Sequence, residues 1–391
     1  MSKKTLSIYI HIPFCVKKCL YCDFLSASAG EEEQQRYLSA LLKEISEECM
    51  SYVNCQVSTV FIGGGTPSVL PGEAIIQIMQ TLRESYEFRE DCEISMEVNP
   101  GTVTKEKAML WKKAGINRIS IGLQSAVDAE LQALGRIHNI SDFMSTYELI
   151  VKTGFNNINV DLMSAIPFQT IESYRETLKL VTGLKPCPNH ISAYSLIIEE
   201  GTPFYEAQEK LVLPDEDTER EMYKITDEFL SGCGYDRYEI SNYARPGYEC
   251  RHNQVYWRRG DYVGFGLGSA SMVNNVRFHN CSDIESYVNH YESGDTHCHA
   301  ASVKEDVHKL TVEEQMEEFM FLGLRMMEGV SDRRFVESFG RTIDEVYPGV
   351  VDKFVNMGLL FREKFGEDER IALTGEGIHV SNRIMAEFLL S

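Results

Sequence analysis

Apolar runs of strand length alternate with amphipathic stretches of helix length through the first half of the chain. SIYIHI at 7–12, STVFIGGG at 58–65, CEISMEV at 92–98, RISIGLQ at 118–124, INVDLMS at 158–164 and HISAYSL at 190–196 are the strand-like runs. Between them, apolar spacing predicts helices over about 31–50, 72–85, 104–114, 142–153 and 171–182. Six such alternations ask for an α/β fold, a parallel sheet with helical crossovers. In a barrel of that kind, ligand-handling residues gather at the C-terminal strand ends. Cys15, Gly64, Glu97, Gln124, Asp161 and Ser195 each fall at or near such an end. Six strands can bring these residues to one rim only if the sheet curls.

The pattern changes after about residue 200. The stretch 201–234 reads mostly as one charged helix. The stretch from YEISNY to GSASM is rich in aromatics, Gly and Arg without a clear period, which predicts loops and short strands packed on the barrel. From about 310 the pattern becomes helical again, with helices expected at 311–330, 331–339 and 344–356. A hairpin turning at GED and a last helix at 381–389 complete a winged-helix-like unit. The expected division is a barrel over 1–230, a barrel extension over 231–305 and a C-terminal domain over 306–391. There is no internal repeat and no low-complexity linker.

Composition narrows the partners. The chain has 391 residues, 43% hydrophobic and 25% charged, as ordinary globular proteins do. Its formal net charge of −21 argues against nucleic acid or an anionic membrane as a bulk electrostatic partner. No apolar stretch reaches the ~18 residues of a membrane span, and MSKKTLSIYIHIPFC has no long apolar signal region. Eleven cysteines, an odd number without a framework pattern, suggest a reduced cytoplasmic protein whose special thiols serve a metal.

Those special thiols are Cys15, Cys19 and Cys22 in CVKKCLYC, on a loop after the first apolar run. Three thiolates can hold three corners of a 4Fe–4S cluster. A local fourth cysteine is missing, because position 24 is Phe24. An iron without a protein ligand stays open to a small molecule, as in catalytic metal sites generally. A structural zinc on these cysteines with His11 is the competing reading, and three unligated buried cysteines is another.

YIHIPFCVKKCLYCDF resembles the radical S-adenosylmethionine (SAM) signature in the form used by the HemN/HemW group. That group contains oxygen-independent coproporphyrinogen III oxidases and related heme chaperones. The resemblance covers nearly the whole chain and implies a partial (β/α)6 barrel. It implies that SAM chelates the open iron through its amino and carboxylate groups. An electron donor then supplies the electron that cleaves the sulfonium to a 5′-deoxyadenosyl radical. Residue by residue, it gives the cluster to Cys15, Cys19 and Cys22, and SAM contacts to Tyr9, Tyr21, Gly64, Gly65, Thr66, Glu97, Gln124, Arg136 and Asp161.

The same resemblance separates two functions. The oxidases carry a further cysteine where this chain has Phe24, and a longer extension ahead of the loop. Both departures favour a heme chaperone that binds heme and passes it to acceptor proteins. A coproporphyrinogen III oxidase is the alternative, and a radical SAM methyltransferase is a more distant one. HNQVYW at 252–257 matches a motif of the heme-binding members, which makes His252 an expected heme ligand and Cys250 the next candidate. Arg251, Arg258 and Arg259 would then meet the heme propionates. A packed His252 and a solvated basic patch are the plain readings of the same residues. HCH at 297–299 reads as a loop with incidental histidines.

Overall fold

The fold is taken from a computed structural model that describes residues 3–292, 303–366 and 368–390. Strands β1 (Lys4–Ile12), β2 (Cys55–Gly64), β3 (Phe88–Val98), β4 (Arg118–Gln124), β5 (Ile158–Ser164) and β6 (His190–Ser195) pair in chain order, every neighbour parallel. β4 is buried at all seven positions, as a strand covered on both faces must be. The crossover helices bury one stripe each. The helix Gly72–Ser85, for example, buries Ala74, Ile75, Ile78, Met79 and Leu82 against the sheet. Side-chain caps fix several starts, with Thr104, Asn139 and Thr170 accepting from the third backbone N–H of their helices.

The sheet does not stop at six strands. On one edge, β8 (Asn242–Ala244) pairs antiparallel with β6, followed by β7 (Asp236–Glu239). On the other, β9 (Tyr262–Phe265) lies parallel to β1, followed by β10 (Ala270–Val273), β11 (Val276–Asn280) and β12 (Lys304–Lys309). The segment expected as an extension therefore continues the barrel sheet on both edges and shares its core. A division at 305/306 falls inside β12, and the second core begins only at Met316.

That second core belongs to the helices Val312–Gly323, Asp332–Phe339 and Val350–Asn356 and a sheet of β13 (Val330–Ser331), β15 (Asp368–Leu373) and β14 (Leu360–Phe365). The helix expected over 344–356 is broken into Ile343–Val346 and Val350–Asn356. Pro348 cannot donate to a helix ladder, and Gly349 adopts φ 76°, so the chain turns there. The charged stretch 201–234 is likewise helical as Glu216–Gly232, with the short helix Pro203–Glu206 ahead of it. Main-chain bonds from Ile240 to Arg325 and from Met327 to Tyr238, at 3.1 and 3.0 Å, tie the C-terminal unit to the barrel edge. Among the described residues no helix is long and apolar enough to cross a membrane.

Candidate functional site at the barrel rim

The cysteine loop leaves β1 and is pinned at several points. Cys15 N–H donates to Ala27 O at 3.0 Å, Ala27 N–H to Pro13 O at 2.9 Å, and Leu20 N–H to Leu134 O at 3.1 Å. Cys15, Cys19 and Cys22 then line one cavity of about 400 Å³ at the C-terminal ends of the strands. Cys15 Sγ lies 3.4 Å from Thr66 Oγ1, and Cys19 Sγ accepts from Arg136 Nη1 at 3.5 Å. Burial pushes the Cys22 thiol up to about 11, so a bound cation is needed to hold it as a thiolate. His11 is not arranged as a fourth ligand. Its Nε2 bonds Leu25 O at 2.9 Å and its Nδ1 bonds Tyr9 Oη at 3.1 Å. Among the described residues no three His, Cys, Asp or Glu side chains gather round a single-ion site. The donor set present is three thiols spread along one corner of a cavity, which suits a multi-iron cluster with an open position better than one tetrahedral zinc.

The remaining walls come from four strand ends. Gly64 adopts φ +109°, and a Cβ there would fall 2.6 Å from the His11 ring. A Cβ on Gly65 would fall 2.7 Å from Phe14 O. The glycines thus let β2 press against β1 and its loop, where Gly65 N–H donates to Ile12 O and Thr66 N–H to Phe14 O. Glu97 accepts from Gly64 N–H at 3.2 Å and makes no other hydrogen bond with the described residues. Asn99 donates to Thr66 Oγ1 at 2.8 Å and accepts from Arg136 Nη2 at 3.2 Å, and that same nitrogen donates to Gly122 O at 2.6 Å. Arg136 keeps its buried Nε–H without an acceptor. Gln124 sits at φ 72° beside a register shift in β4, a strained backbone of the kind found where side chains are aimed at ligands. Asp161 accepts from Asn159 Nδ2 at 2.7 Å and Ser120 Oγ at 3.2 Å.

Electrostatics favour a cationic occupant. Burial, and then the charge of Asp161, push the Glu97 carboxyl up to about 8. Burial likewise raises Asp161, against the pull of its hydrogen bonds. Two half-buried carboxylates facing one cavity stay ionised most readily when a positive group lies between them. The orphaned Arg136 Nε–H is a donor for an anionic group on the same ligand. A zwitterion carrying an extra cation, which is what SAM is, fits this set.

A second cavity of about 180 Å³ lies beneath, inside the barrel, and shares Glu97, Ser120, Asp161 and Tyr194 with the first. Tyr9 and His252 line this inner cavity and not the rim cavity. Tyr9 is therefore placed below the expected SAM site, bonded to His11 and stacked on Phe61 at 6.4 Å. The expectation for His252 is corrected. Its Nδ1 bonds Thr59 Oγ1 and its Nε2 bonds Tyr256 Oη, both at 2.8 Å, and its ring stacks on Phe61. Burial pushes it down to about 3. It is a neutral core histidine with no nitrogen left for iron. The arginines are corrected too. Arg251 pairs with Asp91 at 3.4 Å, Arg258 with Glu328 at 2.9 Å and Arg259 with Glu318 at 2.9 Å. Cys250 is fully buried, pushed up to about 12. The helix Arg251–Trp257 closes the barrel's lower end, its first N–H groups bound by Glu93 at 3.1 Å. The histidines at 297–299 lie outside the described residues.

The rim cavity thus gathers Cys15, Cys19, Cys22, Tyr21, Gly64, Gly65, Thr66, Glu97, Gln124, Arg136 and Asp161. Sequence reasoning missed Asn99, Ser120 and Gly122 on its wall, and Arg118 in the cavity below. The signal was present. Polar or small residues recur at every second position of these strands, as in Arg118, Ser120, Gly122 and Gln124, or Asn159 and Asp161. A period of two puts them all on the barrel's inner face.

A curled parallel sheet with a three-cysteine loop after its first strand and a polar rim cavity is the architecture of radical SAM proteins. The Radical SAM superfamily model matches residues 9–181, and the HemN C-terminal domain model matches residues 310–380. The solved structure of Escherichia coli coproporphyrinogen III oxidase (HemN), described as a radical SAM enzyme, superposes with a TM-score of 0.84 at 24% identity, covering 100% of this chain and 91% of that one. The heme chaperone HemW of Bacillus subtilis (strain 168) is 36% identical over 98% of this chain and 99% of its own. That of Escherichia coli (strain K12) is 41% identical over 68% of this chain and 70% of its own. The chain belongs to the heme chaperone HemW family of radical SAM proteins.

Proposed function

We propose that the chain is a heme chaperone that holds a 4Fe–4S cluster and SAM at the barrel rim and delivers heme to acceptor proteins. The observation that carries the cofactor part is the single rim cavity shared by the three cysteines, Glu97, Gln124, Arg136 and Asp161. The full-length relatives named as heme chaperones carry the cargo part. Cys15, Cys19 and Cys22 are the proposed cluster ligands. When bound, the cluster and SAM would supply one-electron chemistry at the sulfonium. Glu97 and Asp161 would offset the sulfonium charge of the ligand, and Arg136 would orient its carboxylate. Gln124 reaches in from its strained backbone. Tyr21, packed on Phe204 at 6.4 Å, closes the wall beside the third cysteine. An electron donor and heme acceptors are the proposed partners.

The oxidase reading rests on a fold likeness, and Phe24 removes the extra thiol which that reading would use. One anaerobic experiment tests the proposal. Reconstituted protein is given SAM and reductant, once with coproporphyrinogen III and once with heme followed by an apo-hemoprotein. About four irons per chain and net heme transfer are expected. Protoporphyrinogen formed at catalytic turnover would show an oxidase instead.

A further inference from the structure

Given the chaperone reading, on which this inference rests, we propose that heme lies across the mouth of the rim cavity, its face on Phe24, Tyr194 and Ile197 and its propionates on Lys17 and Lys18. Phe24 is 58%, Ile197 68% and Tyr194 40% exposed, and all three line the same cavity. Large apolar side chains left in water beside a pocket mark a ligand surface more often than chance exposure. Lys17 and Lys18 lie on the cysteine loop at the same mouth, both exposed and neither in an ion pair with the described residues. In a chain of net charge −21, two adjacent unpaired lysines at an apolar mouth match a flat macrocycle with two carboxylates. Asp23 and Glu199 stand on the same rim. They leave the lysine side as the edge where the propionates fit.

Volume argues the same way. The inner cavity at His252 has about 180 Å³, below the ~300–1,000 Å³ of ordinary small-molecule sites. His252 and the nearby Arg251, Arg258 and Arg259 are already paired. The rim cavity, at about 400 Å³, is within the range of one ordinary small-molecule site and at its small end. A macrocycle therefore caps the mouth. A cap over the cofactor must couple the two ligands.

The test uses the full chain, anaerobically reconstituted, with hemin titrated by its Soret band and SAM release followed by radiolabel. Heme should slow SAM release several-fold. The double variant Lys17→Glu/Lys18→Glu should bind heme at least tenfold more weakly, with iron content and SAM affinity kept. Ile197→Asp, outside the cysteine loop, should also bind heme at least tenfold more weakly, and keeps the test valid if the lysine variant loses its cluster. His252→Ala should bind heme as the wild type does. Wild-type heme affinity in Ile197→Asp, or its loss in a folded His252→Ala protein, would overturn this placement alone. Absence of heme binding by the wild type would sink the chaperone reading and this placement with it.

Discussion

The affinity for SAM should depend on pH through Glu97. In the free protein this carboxyl is half-buried, holds one hydrogen bond at 3.2 Å from Gly64 N–H, and is pushed up to about 8. Below that value it is mostly protonated, yet a cationic ligand needs the carboxylate. Binding must then release a proton, and affinity must fall as pH falls. For a group at about 8, the ionised fraction is about 0.3% at pH ~5.5 and about 24% at pH ~7.5. Affinity should therefore rise roughly 75-fold between those values, or about 2.6 kcal/mol. A carboxyl at the ordinary ~4.3 would change by less than about 10% over the same range. The ligand's α-amine, near ~8, titrates in the same window and must shed its proton to chelate iron, so the slope is assigned to Glu97 only by the part that Glu97→Gln removes. Anaerobic titration calorimetry in buffers of different ionisation enthalpy gives both the affinity and the proton count. Glu97→Gln should bind more weakly and lose most of the slope. A flat wild-type profile with no proton release would refute the buried-carboxylate reading of the floor.

Other outcomes follow from the same contacts. Arg118→Met removes the buried cation that pulls Glu97 and Asp161 down, so the midpoint of the SAM pH profile should move up and affinity near pH ~7 should drop by about tenfold, with Arg118→Lys restoring part of it. His252→Ala takes the ring partner from Tyr256 Oη, leaves Thr59 Oγ1 with Ser7 Oγ alone, and should cost about 2–4 kcal/mol of stability by denaturant titration. Glu44 accepts from Gly266 N–H at 2.8 Å, Tyr287 Oη at 2.5 Å and Asn280 Nδ2 at 2.5 Å, so Glu44→Gln turns a donor toward a donor and should cost about 1.5–3 kcal/mol at neutral pH. A Glu44→Gln protein as stable as the wild type would show that this carboxyl is protonated in the fold.

The barrel was legible because its strands carry two signals at once. Apolar residues facing the helices give the runs, and polar residues at alternate positions, such as Glu93, Ser95 and Glu97, mark the face turned inward. The rim followed from strand ends alone. What was not legible is contact across long sequence separation. HNQVYW carries an imidazole, two aromatics and a flanking arginine pair, and reads as ligand chemistry until Thr59, 193 residues away from His252, takes its ring nitrogen. Glu93, 159 residues from His252, takes the helix start. The Gly63–Gly65 run was legible as a cavity wall, where Gly64 and Gly65 both lie, but not in its second use. The freedom of Gly64 and Gly65 also serves the approach of β2 to His11 and Phe14. Pro348–Gly349 was a readable break overlooked inside an apolar stretch.

The two stacked cavities give the floor its character. Arg118 is 2% exposed and makes no hydrogen bond or ion pair with the described residues, although it lines the inner cavity with Glu97 and Asp161. A buried guanidinium without a direct acceptor is costly, and the polar inner cavity has room for several waters that can bridge it to the two carboxylates. The free protein therefore holds two carboxyl groups above one cation, with Glu97 mostly protonated at neutral pH. A ligand that brings positive charge to the rim would draw Glu97 into its ionised form. The part of its affinity that comes from relieving the floor is absent for a neutral analogue. S-adenosylhomocysteine, which lacks the sulfonium charge, should bind more weakly than SAM in the wild type, and the gap between the two ligands should narrow in Glu97→Gln. An equal gap in both proteins would place the selectivity elsewhere on the rim.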